Sequence, residues 1–234
     1  MSRHWRRIVP LFVLVSLVVP GSVPAQPRAL AGPIFFDGFE SGNLSNWTKA
    51  TAGFAAQQQV VFDGSWAGRA TTTGPAVDVY KALPSAQSDL YADVHVKLIS
   101  GRGTVHSLRF VTATGMPVVG LAMKPSGQLI LRDFITKTSV TSTITATPAS
   151  WHDFQLHATV NGAASTAEVW LDGAKVTSLS GTYSLGSAPV GRLLLGTPGS
   201  SSGFDMAFDD AIADTSLIGG PHLRTRLLPQ SRPD

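Results

Sequence analysis

The chain has 234 residues, with 18 Lys and Arg against 15 Asp and Glu, and it has no cysteine. Without thiols it is neither a disulfide-stapled scaffold nor a thiol enzyme, so a hydrophobic core or a bound metal has to hold it together. The excess of positive charge sits at the two ends, in Arg3, Arg6 and Arg7 and in Arg224, Arg226 and Arg232. The body between them is neutral to slightly acidic, which argues against a nucleic-acid partner.

The first segment, MSRHWRRIVPLFVLVSLVVPGSVPAQPRALAG, joins a basic start to a short apolar run, Ile8 to Val19. Small residues follow at Val23, Ala25, Ala29 and Ala31. This is the pattern of a secretory signal peptide covering 1–25, with 31 as the alternative end, and it predicts a secreted protein. The apolar run is shorter than the roughly 20 residues a spanning helix needs, so no membrane anchor is expected after cleavage.

FFDGFESGNLSNW, residues 35–47, places Asp37 and Glu40 among aromatics. From there to about residue 214 the apolar residues alternate with period two, and Gly, Pro, Ser and Asp interrupt them roughly every eight to twelve residues. DLYADVHVKLISG sends Leu90, Ala92, Val94, Val96 and Leu98 to one face and Tyr91, Asp93, His95 and Lys97 to the other. WHDFQLHATV turns Phe154, Leu156, Ala158 and Val160 inward. STAEVWLDG turns Ala167, Val169 and Leu171 inward and Glu168 and Trp170 outward, and Asp172-Gly173 forms a hairpin turn. In FDMAFDDAIA, alternation groups Phe204, Met206, Phe208 and Ile212 on one face, sets Asp209 opposite, and directs Asp210 inward to accept backbone hydrogen bonds. About a dozen one-sided strands and no helix predict an all-β, two-sheet antiparallel jelly-roll sandwich over 33–218, followed by a disordered tail, 219–234.

Three motifs in order resemble the concanavalin A-like (laminin-G-like) jelly rolls. WHDFQLHATV followed by AEVWLDGAKV is similar to their strand–turn–strand centre. FFDGFESGNLSNW and MAFDDAIA are similar to the two ends of secreted carbohydrate-binding modules and MAM-type domains. The resemblance covers residues 34–213. It implies neighbouring terminal strands and a structural Ca2+ on the convex side, with Glu40, Asp63 and Asp209 as ligands. Oxygen donors of this kind suit calcium.

Catalysis finds less support. Glucanases of this fold carry paired glutamates on one strand, whereas this chain has only Glu40 and Glu168, far apart. A lyase needs a His or Tyr base with an Arg or Lys. Tyr91, His95, His106, Arg109 and His157 offer the residue types, but the odd separation of His106 and Arg109 puts them on opposite faces of a regular strand. Sugar contact needs aromatic platforms beside hydrogen-bonding groups, and Trp170, Tyr91 and His95 are the candidates. The expected function is a non-catalytic carbohydrate-binding or adhesion-type module with polysaccharide or cell-surface glycan as partner. The alternatives are an atypical polysaccharide lyase or glycoside hydrolase of the same fold, or a purely structural extracellular domain.

Overall fold

A computed structural model describes residues 32–219. The signal and the tail of the sequence reading fall on 1–31 and 220–234, outside the described residues, apart from Gly219.

The strands in chain order are β1 (Phe35–Asp37), β2 (Lys49–Ala50), β3 (Phe54–Gln57), β4 (Ala67–Thr72), β5 (Val77–Gln87), β6 (Asp89–Gly101), β7 (Val105–Thr112) and β8 (Pro117–Met123). They continue with β9 (Gln128–Asp133), β10 (Ser139–Thr145), β11 (His152–Thr159), β12 (Ser165–Leu171), β13 (Ala174–Lys175), β14 (Gly181–Tyr183), β15 (Val190–Thr197) and β16 (Phe204–Asp214). Two single-turn 3-10 helices, Gly162–Ala164 and Thr177–Leu179, interrupt them. Among the described residues no helix is long and apolar enough to cross a membrane.

The strands form two antiparallel sheets. Sheet A runs β13-β12-β11-β6-β16-β4-β3, with β1 also on β16 and β14 also on β12. Sheet B runs β10-β9-β8-β7-β15-β5-β2. The alternation read in β6, β11 and β12 matches the burial: Leu90, Val94, Phe154, Leu156, Ala167 and Val169 are all fully buried between the sheets. Asp172 and Gly173 both have positive φ, 52° and 78°, as the predicted hairpin turn requires.

Strand β16 organises sheet A. Its first half pairs with β4 and its second half with β1, on the same edge, while β6 occupies the other edge. The change of neighbour coincides with a register shift between Asp209 and Ile212, where Asp210 takes φ 47°. This bulge adds one residue and reverses the phase of the strand. Phe204, Met206 and Phe208 face the core before it, and Ala211 and Ala213 after it. Two readings are corrected here. Ile212 does not share the face of Phe208, and Asp210 does not point inward.

The N-terminal segment is held by an aromatic ladder. Phe35 meets Trp47 edge-on at 4.9 Å, Phe39 stacks on the other side of Trp47 at 5.9 Å, and Phe54 links Phe39 to Phe208 at 6.4 and 5.6 Å. Phe39 carries a left-handed φ of 58°, and its ring lies against Gly68, where a Cβ would come within 2.7 Å of the ring. Gly68→Ala is therefore expected to cost about 1–3 kcal/mol by overpacking. Gly181→Ala, whose Cβ meets nothing within 4 Å, is expected to stay within about 0.5 kcal/mol of wild type. Urea denaturation of both variants checks the pair.

Candidate functional site

Two surfaces of the sandwich carry chemistry: the outer face of sheet A and the outer face of sheet B.

On sheet A, the bulge in β16 brings the N-terminal turn, the 62–66 loop and β6 together. Asp209 is fully buried. Its Oδ2 accepts the N–H groups of Phe62 and Asp63 at 3.0 and 3.3 Å, and its Oδ1 accepts that of Asp210 at 2.9 Å. Burial raises its pKa to about 7 against the pull of those hydrogen bonds, and the neighbouring Asp210 adds to the rise. Glu40 docks on the same loop: Oε1 accepts from Ser65 and Trp66 at 3.0 and 2.9 Å, and Oε2 from Ser65 at 3.1 Å. Gly64 is required beside it, because a Cβ there would collide with the Glu40 carboxylate.

Asp37 closes the turn by accepting from the Phe39 N–H at 3.0 Å and from Asn46 Nδ2 at 3.2 Å through Oδ1. Its other oxygen is buried with no hydrogen-bond partner. Burial also raises the pKa of Asp210; nearby His95 opposes this, and Asp63 and Glu40 reinforce it. A cavity of about 920 Å³ opens here, lined by Asp37, Glu40, Asp63, His95 and Asp210 together with Phe62.

The sequence-predicted metal residues Glu40, Asp63 and Asp209 thus surround one loop. Their donor chemistry, hard oxygen throughout, suits calcium. Among the described residues, however, no three carboxylate or histidine side chains converge tightly enough to cage an ion by themselves. Backbone carbonyls would have to complete a coordination shell; Glu40 Oε2 and Asp209 Oδ1 each accept one N–H and keep a lone pair for it, whereas Glu40 Oε1 and Asp209 Oδ2 each already accept two.

The predicted glycan contacts lie on the same face. Register sets His157 opposite both Tyr91 and Glu168, and Gln155 opposite both Asp93 and Trp170. The His157 ring lies flat on Tyr91 at 3.8 Å, and Trp170 is 6.3 Å from Tyr91. His157 bridges Asp89 and Glu168 at 2.8 and 2.9 Å, Lys175 pairs with Glu168, and the Lys175 ammonium sits over Trp170. The Lys175 hydrogen bond, then that of His157, lowers the Glu168 pKa. His95 stands apart, stacked on Phe62 at 3.8 Å. Tyr91 and Trp170 therefore come together, but within a network whose charges are already matched.

Sheet B presents a different surface. The sequence reading separated His106 from Arg109. A register shift between His106 and Leu108 corrects this, because the extra residue, Ser107, brings both onto one face. The His106 ring is 5.8 Å from Phe134, and the Arg109 guanidinium lies 4.3 Å over the same ring. Tyr80 holds the Arg192 guanidinium at 4.8 Å. A smaller cavity of about 350 Å³ is lined by Asp78, Tyr80, Arg109 and Arg192 among others. The five residues considered for a lyase are divided between the sheets, with Tyr91, His95 and His157 on A and His106 and Arg109 on B.

No protein-family model matches the chain, and no curated protein matches it in sequence. Solved structures do. "Cellulose induced protein, Cip1" superposes with a TM-score of 0.62 at 14% identity, over 78% of this chain and 97% of that one. A sialidase gives 0.57 at 12% identity, over 78% of this chain but only 19% of the sialidase. "Alginate lyase AlgAT5 from Polysaccharide Lyase family 7" gives 0.50 at 10% identity, over 71% and 84%. The fold is the concanavalin A-like jelly roll. At these identities the likeness is one of architecture, and chemistry has to be argued from the side chains.

On sheet B His106 and Arg109 are both displaced downward, and His106 is the one whose titration falls in the accessible acid range. Burial, then the charges of Arg109 and Arg132, lower its pKa to about 4. An unfolded histidine titrates near 6.5. The folded state therefore binds fewer protons between these values, so the stability is present above pH ~6.5 and is lost as pH falls through about 4. His106→Gln removes the titration. Between pH 7 and pH 4.5 wild type is expected to lose on the order of 2–3 kcal/mol more than this variant, read from paired urea midpoints.

Proposed function

We propose that this protein is a secreted, non-catalytic jelly-roll module that binds a polysaccharide or cell-surface glycan on the outer face of sheet B. A structural calcium at the junction of the terminal strands completes the reading. The observation that carries it is the cavity holding Tyr80, Arg109 and Arg192, where an aromatic ring stands among donors that are not consumed by ion pairs. A pyranose asks for that combination, an apolar face to stack on and hydroxyls to hold. Two structural neighbours, a cellulose-induced protein and an alginate lyase, are consistent with a carbohydrate setting.

Affinity electrophoresis through gels containing xylan, hydroxyethyl cellulose or polygalacturonate tests the reading. At least one polymer is expected to retard the protein. Tyr80→Ala should weaken that retardation about tenfold if the ring is a central contact. Trp170→Ala reports on the opposite face and should leave it unchanged. Failure of every polymer would remove the glycan reading in favour of a structural domain.

A second reading rests on the arrangement of Tyr80, His106 and Arg109 on one face: a lyase needs a base and a cation beside a uronate. A rise in ultraviolet absorbance from unsaturated uronate on incubation with polygalacturonate would establish that activity. The non-catalytic reading expects none.

For the metal, Glu40, Asp63 and Asp209 would hold the ion with carbonyls of the 62–66 loop, and its charge would offset their mutual repulsion. At about a hundredfold over its dissociation constant, calcium adds roughly 2.7 kcal/mol to the folded state. For a domain of this size that is a rise in melting midpoint of about 5–10 °C. Wild type stripped with EDTA and returned to millimolar calcium should show the rise, whereas Glu40→Gln and Asp209→Asn should not. Equal midpoints for stripped and calcium-loaded wild type would leave these carboxylates as loop clamps alone.

A further inference from the structure

The pairing registers of sheet B align one transverse row across its outer face. Lys49 on β2 is opposite Tyr80 on β5, Tyr80 opposite Leu194 on β15, Leu194 opposite Arg109 on β7, Arg109 opposite Gly120 on β8, and Gly120 opposite Arg132 on β9. Arg192 lies two residues from Leu194, over Tyr80. Four cations thus lie on one face; two of them, Arg109 and Arg192, line the cavity, and Asp78 is the carboxylate beside them there. None of the four appears in an ion pair within 4 Å among the described residues; those pairs all lie on sheet A.

Arg109 is the decisive member. It is only 8% exposed, and its Nε is buried with no hydrogen-bond partner. Its guanidinium lies over the Phe134 ring, 4.3 Å from the centroid. Gly120 makes the space, because a Cβ there would press on both Arg109 and Phe134 at 3.3 and 3.2 Å. Asp78, in the same cavity, acts on the Arg109 charge from a distance but makes no ion pair with it within 4 Å, and a guanidinium buried with donors unfilled is costly unless something else meets them. A planar fork of donors, pre-positioned on an aromatic ring, fits a carboxylate bidentately.

We infer that the sheet B groove recognises a polymer bearing carboxylates, a polyuronate, with Arg109 and Arg192 receiving carboxylate groups and Tyr80 stacking on a sugar ring between them. The row of cations running from the edge strand β2 to β9, one strand short of the far edge, suits a chain with repeated charge better than a single acidic sugar. This inference rests on the glycan reading above and narrows it.

The experiment compares polygalacturonate, its carboxyl-reduced neutral form, dextran sulfate and an oligothymidylate of similar length, by titration calorimetry on the full chain at low and at moderate salt. Polygalacturonate is expected to bind, the carboxyl-reduced form to lose at least about tenfold in affinity, and the bound fraction to fall as salt rises. Arg192→Gln, at a half-buried position, should cost about tenfold, and Arg109→Gln at least as much. A variant at Arg132 keeps the test decisive if Arg109→Gln fails to fold, and Arg132→Gln is expected to weaken polygalacturonate in the same direction. Equal binding of the reduced polymer, with no effect of the arginine variants, would overturn the carboxylate inference and leave the glycan reading standing. Equal or tighter binding of dextran sulfate or oligothymidylate would overturn it as general polyanion attraction. Binding of none of the sugar polymers would overturn both.

Discussion

The buried carboxylate of Asp209 is the constraint around which the rest of sheet A is arranged. It sits where β16 exchanges β4 for β1, so regular ladder bonds cannot satisfy every group at that point. Three backbone N–H groups take its two oxygens instead, two of them from a loop 147 and 146 residues away in sequence. Replacing it with an apolar group would strand those donors, each worth about 1–3 kcal/mol when left unsatisfied in a buried site. The same contact fixes the 62–66 loop, and the loop in turn receives Glu40 and so anchors the turn after β1.

The two outer faces solve electrostatics in opposite ways. On sheet A each histidine faces an acid, and Arg69 reaches Asp205 through two hydrogen bonds, at 2.8 and 2.5 Å. Around Tyr91 and Trp170 these pairs match the charges without a ligand. On sheet B the cations rest on rings, Arg109 and Arg132 on Phe134 and Arg192 on Tyr80; Arg192 spends one donor on the Ala113 carbonyl and Arg132 one on Ser139, and cation–π contact leaves the other edge donors available. The difference explains why the aromatic residues that looked most like a sugar platform, Tyr91 and Trp170, lie in the self-contained network, and why the available donors are on the other sheet.

The sandwich was legible in the sequence wherever strands are regular. Period-two alternation identified the buried faces of β6, β11 and β12 residue by residue, because a pleated strand leaves no other choice. It failed at bulges. Ser107 and the Asp209–Asp210 pair each add one residue without any glycine or proline to mark it, and everything beyond changes face. Ile212, Asp210 and the relation of His106 to Arg109 were misread for that single reason. The proximity of Glu40 to the 62–66 loop came from resemblance to other jelly rolls, not from any local pattern. The cationic row was invisible because Lys49, Arg109, Arg132 and Arg192 come from four strands, and only the register of the finished sheet sets them side by side. A near-neutral composition concealed it further, since most of the acids that balance these cations, Asp78 apart, lie across the core.

That separation of charge gives the folded domain a permanent polarity of its own. A body with cations on one broad side and carboxylates on the other experiences a torque in a field, not merely a net pull. Approaching an acidic gel or cell surface at low ionic strength, it would turn before it touched, arriving with sheet B foremost. At 0.1 M salt the field reaches only about 10 Å, less than the breadth of the molecule, so this alignment would belong to the last moments of encounter.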